Sequence, residues 1–235
     1  LRSPDLDKAE EYLTAFGLVR AERTGDKLYM RGTDPVHHIH ITEKGDPAVL
    51  RIGFWANSLD DLHKLSKEGE GASAVEDIDE PGGGKRVRIR EHNGMELEVV
   101  WGVAAAEPLK ADANVFNFGS NKHARPGKLL RVAHRPSMVK RIGHVVISTP
   151  EIEKSVAWAQ RHLGIVASDE VHMEDDPSTL LASFNRVDAG PDYVDHHVMM
   201  FGRHASSGMN HVSFEVQDFD DLATGHDTLM QKYPD

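Results

Sequence analysis

The chain has 235 residues, long enough for one large domain or for two domains of ordinary size that each bury a core. Its 38 acidic and 27 basic residues give a formal net charge of −11, which repels phosphate backbones, so we expect no nucleic-acid partner. Cysteine is absent, which excludes disulfides, thiolate metal sites and cysteine nucleophiles and leaves His, Asp and Glu as the metal ligands available.

The chain offers no membrane signal. No apolar run approaches the roughly 20 residues that cross a bilayer, and the first residues lack the profile of a signal peptide. We therefore expect no membrane association and a cytoplasmic location.

Two helices are predicted where Ser or Thr is followed by Pro and an acid, at Ser3 and at Thr149. In such a start the hydroxyl caps free N–H groups and the acids complement the positive helix end. The helices are expected over residues 9–15 and 155–161. They should end at Gly17 and Gly164, since glycine adopts the left-handed cap conformation readily.

Strands are predicted from short runs rich in β-branched and aromatic residues. They cover residues 27–31, 36–41, 50–55, 85–90, 95–101, 142–147, 180–184, 196–201 and 211–216. Two more helices are expected at 59–68 and 219–231, and a hairpin turn at Asn93-Gly94.

The segment RIGFWANSLDDL (51–62) returns 160 residues later as HVSFEVQDFDDL (211–222), with His211 in place of Arg51. Together with the repeated helix starts, this predicts a duplicated α+β chain in which each half contains two β-α-β-β-β units. We expect an N-terminal scaffold half (1–102), a connection (103–140) and a C-terminal metal-binding half (141–235). The first strand of the first half is expected to be cut short, and the last strands of the second half are expected to lie outside the chain.

His144 and His211 occupy corresponding positions in the two units of the second half, so a pseudo-twofold fold would bring them face to face. Neutral imidazoles suit Fe(II), Mn(II), Zn(II) or Ni(II), and two of them with a carboxylate leave positions open for substrate or oxygen. The pair is therefore the candidate metal site.

Three motifs carry a family resemblance: Gly143-His144-Val-Val-Ile-Ser-Thr-Pro, Asp195-His196-His197-Val-Met-Met-Phe, and Asn210-His211-Val-Ser-Phe-Glu-Val. The chain resembles the type I extradiol ring-cleaving dioxygenases of the vicinal oxygen chelate superfamily. The resemblance implies the vicinal oxygen chelate fold, with four tandem βαβββ modules, two per half, that form two curved mixed sheets.

The resemblance further implies that His144 and His211 bind Fe(II), with Mn(II) as the alternative, and that a glutamate on the last strand is the third ligand. The first-half counterpart of that glutamate is Glu96, which places the expected ligand near position 256, outside the chain. Glu215 is too far along the strand from His211, about 13 Å, to share one metal shell, and we interpret it as structural.

His197 matches the acid–base histidine of the family, and its ordinary pKa of about 6.5 suits proton transfer near neutral pH. The adjacent His196 is the alternative and a candidate substrate-binding residue, but strand alternation sends the two side chains to opposite faces. His37, His38 and His40 lie in the scaffold half and are interpreted as strand residues.

The resemblance implies an enzyme, a non-haem Fe(II) dioxygenase that cleaves a catechol-type ring with O2 in the breakdown of aromatic compounds and forms homo-oligomers. One alternative is a glyoxalase-like metal-dependent isomerase or resistance enzyme that uses Zn or Ni. The other is a non-enzymatic ligand-binding module of the same fold.

Overall fold

The computed structural model describes residues 1–111, 117, 119–124, 127 and 133–234. The chain divides into two compact units: residues 1, 48–104 and 142–214 form the first, and residues 2–47, 105–141 and 215–234 belong to the second. Each unit thus takes segments from both predicted halves. The halves at 1–102 and 141–235 stay a prediction, and parts of the 103–140 connection, with residue 235, lie outside the described residues.

The described elements, in chain order, are as follows. The first group comprises β1 (Arg2–Ser3), α1 (Leu6–Phe16), β2 (Val19–Arg23), β3 (Lys27–Arg31), β4 (His40–Lys44), β5 (Arg51–Trp55), α2 (Leu59–Glu68), β6 (Glu76–Asp77), β7 (Lys85–Arg90) and β8 (Glu96–Trp101). The second group comprises β9 (Arg141–Thr149), α3 (Ile152–Leu163), β10 (Ile165–His172), β11 (Leu180–Val187), β12 (Met199–Arg203), β13 (Gly208–Glu215) and α4 (Phe219–Lys232).

The first unit contains two mixed sheets. One has the order β5-β8-β7-β6, with β5 and β8 parallel, and the other has the order β10-β11-β12-β9-β13, with β12 and β9 parallel. Parallel neighbours that flank a helix, as β9 and β12 flank α3, are typical of a β-α-β-β-β unit. These observations confirm the predicted α+β class and its mixed sheets.

Alternation along the strands separates the core of the first unit from its open sheet face. Met199 and Phe201 of β12 are buried with Val145 and Ile147 of β9 beneath α3. Residues between them on the same strands, such as Met200, face the other side. Burial on one face therefore fixes which side chains reach the opposite face, where the candidate site lies.

A buried carboxylate joins the turn between β7 and β8 to the start of α3 within the first unit. Glu91, only 5% exposed, accepts a hydrogen bond from Ser155 Oγ at 2.8 Å. Asn93 Nδ2 donates to Thr149 Oγ1 at 2.8 Å. A buried polar group is stable only when it is hydrogen-bonded, so this network holds the end of β9 in place.

The second unit contains the sheet β1-β4-β3-β2 with α1 and α4. Buried Asp221 at the start of α4 accepts hydrogen bonds from Arg135 Nη1 at 2.6 Å and from the N–H of Met138. Gly17 ends α1 as predicted, with φ +118°, and its backbone lies so close to Ser137 that a Cβ atom there would be 2.1 Å from a carbonyl oxygen.

The predicted caps at Ser3 and Thr149 were wrong, whereas the predicted role of the repeated Asp pairs at helix starts is confirmed. Asp5, not Ser3, caps α1, and Thr149 accepts from the N–H of Glu151 without capping α3. The repeated Asp pairs do serve at helix starts: Asp61 completes a capping box in α2, and the N–H of Asp221 donates to the cap of α4.

Two strand predictions were wrong in their bounds. The strand expected at 36–41 forms at His40–Lys44, and the one expected at 196–201 forms at Met199–Arg203. His196 and His197 therefore lie just before β12, not within it. Among the helices of the described ranges, none is long and apolar enough to cross a membrane.

Candidate metal centre

A cavity of about 320 Å³ opens on the sheet face of the first unit opposite α3. Three predicted site residues, His144, His197 and His211, line it. The other lining residues are Val146, Ser148, Phe184, Met200, Gly202, Arg203, His204 and Asn210. The side chains come from β9, β11, β12 and β13 and the loops beside them, so the sheet brings together histidines that are far apart in the sequence.

The two predicted metal ligands converge as the duplication implies. The Nε2 atoms of His144 and His211 are 3.3 Å apart. Two imidazole nitrogens that bind one divalent ion at about 2.1 Å, at an angle of about 100°, lie roughly this far apart. The donor pair therefore fits a divalent metal ion.

His211 is held in the tautomer that metal binding requires. Its Nδ1–H donates to Asn210 Oδ1 at 2.9 Å. A neutral imidazole that carries its proton on Nδ1 has a free lone pair on Nε2, and an outer hydrogen bond of this kind orients histidine ligands in metal sites. This role of Asn210 was not predicted, although the sequence shows the Asn-His dipeptide.

His197 lies beside this pair. Its ring centroid is 4.3 Å from that of His144, and it meets the Phe184 ring edge-on at 5.1 Å. Burial, followed by the neighbouring His144, lowers the pKa of His197. Burial and then His211 likewise lower the pKa of His144. Both rings are thus biased toward the neutral form, which can bind a metal ion or accept a proton.

His196 does not line the cavity, although the strand alternation on which this expectation was based does not apply, because both histidines precede β12. Its Nε2 is 2.7 Å from Asp169 Oδ2, and its Nδ1 is 3.1 Å from His197 Nδ1. Both ring nitrogens thus have protein partners. Substrate binding by His196 stays a prediction, and the contact with Asp169 was not predicted from the sequence.

The corresponding place in the other sheet of the first unit carries an ion pair. Arg51 stands where the repeat places His211, and its Nε lies 3.2 Å from Glu96 Oε1 and 3.4 Å from Glu98 Oε2. Arg51 and Glu96 are direct partners in the parallel ladder of β5 and β8. Burial raises the pKa of Glu96, whereas the adjoining Arg90 and Arg51 lower it, and the net effect is a lowered pKa.

No group of three His, Asp or Glu side chains that could hold a metal ion occurs within the described parts of the chain. The convergent donors at the candidate centre are the two histidines. His37 and His38 contact each other through their Nδ1 atoms at 2.9 Å, and His40 contacts Thr42. The prediction that these three are strand residues holds for His40, which begins β4, and is wrong for His37 and His38, which lie in the loop before it.

Comparison with known proteins places this geometry in context. Residues 141–232 match the model of the Glyoxalase/Bleomycin resistance protein/Dioxygenase superfamily. Over 230 residues the chain is 24% identical to metapyrocatechase 2 of Cupriavidus necator, a match that covers 96% of this chain and 66% of that protein.

Two solved structures share the fold. The Mn(II)-bound glyoxalase from Novosphingobium aromaticivorans superposes with a TM-score of 0.75 at 22% identity, over 99% of this chain and 68% of that one. Homoprotocatechuate 2,3-dioxygenase from Arthrobacter globiformis gives 0.73 at 18% identity, over 98% and 66%. The chain thus spans about two thirds of the length of these proteins.

Proposed function

We propose that the protein is a type I extradiol dioxygenase, because residues 141–232 match the model of the Glyoxalase/Bleomycin resistance protein/Dioxygenase superfamily and the chain shares the fold of the two solved enzymes. It cleaves a catechol-type ring next to its two hydroxyls and incorporates both atoms of O2. One observation carries the proposal: His144 and His211 converge at 3.3 Å in a cavity that His197 also lines. A pair of ligands beside a third histidine suits metal-assisted acid–base chemistry.

His144 and His211 are the proposed protein ligands of Fe(II), with Mn(II) as the alternative ion. A glutamate near position 256, outside these residues, is the proposed third ligand. The ladder of β5 and β8 supports its placement, because Glu96 lies directly across from Arg51, the counterpart of His211. When bound, the metal would supply neighbouring positions for the catechol oxygens and O2, which makes their encounter intramolecular.

His197 is the proposed acid–base residue. Its ring lies against His144, so a catechol hydroxyl close to His144 and His211 is within reach of its free nitrogen. A neutral histidine can accept that hydroxyl proton and later return it to the opening ring. The lowered pKa of His197 favours the neutral, proton-accepting form at neutral pH.

The apolar part of the cavity would contact the aromatic ring of the substrate. Val146, Phe184 and Met200 line it together with the small Gly202. A predominantly apolar wall with a few polar groups is typical of small-molecule sites. It would displace water from the ring face and leave the hydroxyls beside the histidines.

Oxygen consumption tests the proposal. The protein in its natural length is loaded with Fe(II) under anaerobic conditions, mixed with a panel of catechols and exposed to air, while oxygen uptake and the yellow ring-opened product are followed. We expect uptake with at least one catechol, and a loss of about 100-fold or more in His197→Ala, because a general base contributes on this scale. Activity undiminished in His197→Ala, or no uptake with any catechol, would contradict the mechanism.

The same preparation separates the alternatives. A glyoxalase-like isomerase would convert a hemithioacetal without consuming O2 and would retain Zn or Ni on metal analysis. A binding module would bind an aromatic ligand without metal and turn nothing over. Sedimentation velocity tests the proposed homo-oligomer.

A further inference from the structure

Asp169, His196 and His197 form a continuous chain of contacts that ends at the cavity. Asp169 Oδ2 lies 2.7 Å from His196 Nε2, and His196 Nδ1 lies 3.1 Å from His197 Nδ1. Asp169 has no place in the metal centre, and His196 does not line the cavity. Their contacts instead reach His197 through its Nδ1 atom.

The donors and acceptors along this chain have one consistent arrangement for neutral rings. An ionised carboxylate only accepts, so His196 donates from Nε2–H and its Nδ1 carries a lone pair. His197 must then donate from Nδ1–H to that lone pair. This leaves the His197 Nε2 unprotonated and free to act as the base.

We propose that Asp169 and His196 are positioning residues that hold His197 in its Nδ1–H tautomer and stabilise the imidazolium that forms when Nε2 takes up the substrate proton. The inference rests on the proposed function and deepens it. Proton balance is simple: the substrate hydroxyl loses H⁺, His197 Nε2 gains it, and the positive charge is shared with a hydrogen-bonded His196–Asp169 pair. Fixing the tautomer of a catalytic histidine through an acid is a general device.

A β-bulge next to Asp169 brings its side chain to His196. The ladder between β10 and β11 shifts register between Ala167 and Asp169, so Ser168 is the extra residue. Bulges redirect the side chains that follow them. The bulge is held in place, because Arg186 Nη1 donates to Ala167 O at 2.8 Å and Ser168 Oγ donates to His196 O at 2.6 Å.

The first half of the sequence repeats this arrangement in looser form. The ladder of β2 and β3 shifts register just before Glu22, and His37 and His38 contact each other through Nδ1 atoms at 2.9 Å. Glu22 Oε2, however, is 4.0 Å from His37 Nε2, beyond hydrogen-bond distance. The tight acid–histidine contact occurs in the copy that lines the candidate metal centre, and the loose copy supplies a matched control.

Nitrogen NMR reads the tautomer directly. Long-range ¹H–¹⁵N correlation of the histidine rings is recorded on the natural-length protein with Zn(II), a diamagnetic ion, and His197 is assigned from a His197→Gln spectrum. We expect Nδ1–H at His197 in the wild type, and its loss in Asp169→Ala and in His196→Ala. Glu22→Ala should leave the His197 signals unchanged. Nε2–H in the wild type, or Nδ1–H retained in both variants, would overturn the inference.

Kinetics adds a second readout. Asp169 and His196 are more than half exposed, so solvent screens their pairing, and Asp169→Ala should lower kcat by about two- to fivefold with KM and metal content unchanged. Adding His196→Ala should give no further multiplicative loss, and an independent loss would count against a shared role. If no catechol is cleaved, the proposed function fails, while the NMR result still decides the tautomer.

Discussion

At one repeat position the first copy has Arg51 and the second has His211, and the two residues make different contacts. Arg51 pairs with Glu96 and Glu98, whereas His211 turns its Nε2 toward His144. A guanidinium stays protonated and cannot bind a cation, but a neutral imidazole can. The two copies therefore differ in local chemistry at this position: an ion pair in one and a candidate metal ligand in the other.

Asn210 should matter for metal affinity although it is not a proposed ligand. Asn210→Ala removes the acceptor for His211 Nδ1–H, so we expect divalent-metal affinity to fall about 10-fold, as for other outer partners of ligating histidines. Titration calorimetry with Mn(II) measures this. His204→Ala is the control, because His204 also lines the cavity but pairs with Ser206. Equal losses in both variants would argue against an orienting role.

Sequence symmetry predicted His144 and His211, the family resemblance added His197, and the structure brings all three to one cavity. It did not predict Asp169. That side chain reaches His196 because of a bulge in the ladder of β10 and β11, and a bulge depends on how two strands pair. Contacts of this kind are long-range and leave no periodic signal in the sequence.

The bounds of helices and strands were predictable where they depend on residues close together in the sequence. Helix α2 has its predicted bounds, Leu59–Glu68, because the capping box and the apolar period lie within it. The bounds of β12 were missed, because its register is set by pairing with β9, from Met199↔Val145 to Arg203↔Thr149. The run His-His-Val-Met-Met-Phe shows an apolar segment but not where pairing begins.

Strand β12 should tolerate changes on its two faces very differently. Phe201, 1% exposed beneath α3, should lose about 3–5 kcal/mol of unfolding free energy on replacement by Ala. Met200→Ala, on the cavity face of the same strand, should cost only about 1 kcal/mol. Urea titrations compare the two, and similar costs would mean that the assignment of the faces is wrong.

The capping box of α2 gives a smaller, local prediction. Ser58→Ala removes the acceptor for the N–H of Asp61 and should destabilise by about 1 kcal/mol. Asn57→Ala, at the exposed preceding position, serves as the control and should have little effect. Thermal and urea unfolding check both variants, and an unaffected Ser58→Ala would show that the cap contributes nothing.

At the scale of the whole molecule, the free energy of unfolding should depend on pH through the partly buried His40. Burial lowers the pKa of His40 from its ordinary 6.5 to about 4. Above pH 6.5 the ring is neutral in both states, but as pH falls toward 4 the unfolded chain takes up a proton that the folded chain does not. Stability therefore falls over this window, by up to about 3 kcal/mol.

Unfolding measured from pH 8 to pH 4 in the wild type and in His40→Asn tests this expectation. The replacement cannot be protonated, and its amide can still pair with Thr42, the partner of His40. The difference between the two profiles should be constant above about pH 7 and should change as pH falls toward 4, because only the wild type loses stability through this group. A constant difference would mean that His40 titrates normally in the folded protein.

The vicinal oxygen chelate fold, which the family resemblance implied, is confirmed, and the proposal to test is the dioxygenase reaction of the histidine cavity. The most direct measurement is the stoichiometry of the reaction. In Fe(II)-loaded protein of natural length, O2 consumed and ring-opened product formed from a catechol are quantified together, in the wild type and in His211→Ala. The account predicts one molecule of O2 per molecule of product, with neither detectable in the variant. Oxygen consumed without ring opening, or ring opening undiminished in His211→Ala, would contradict it.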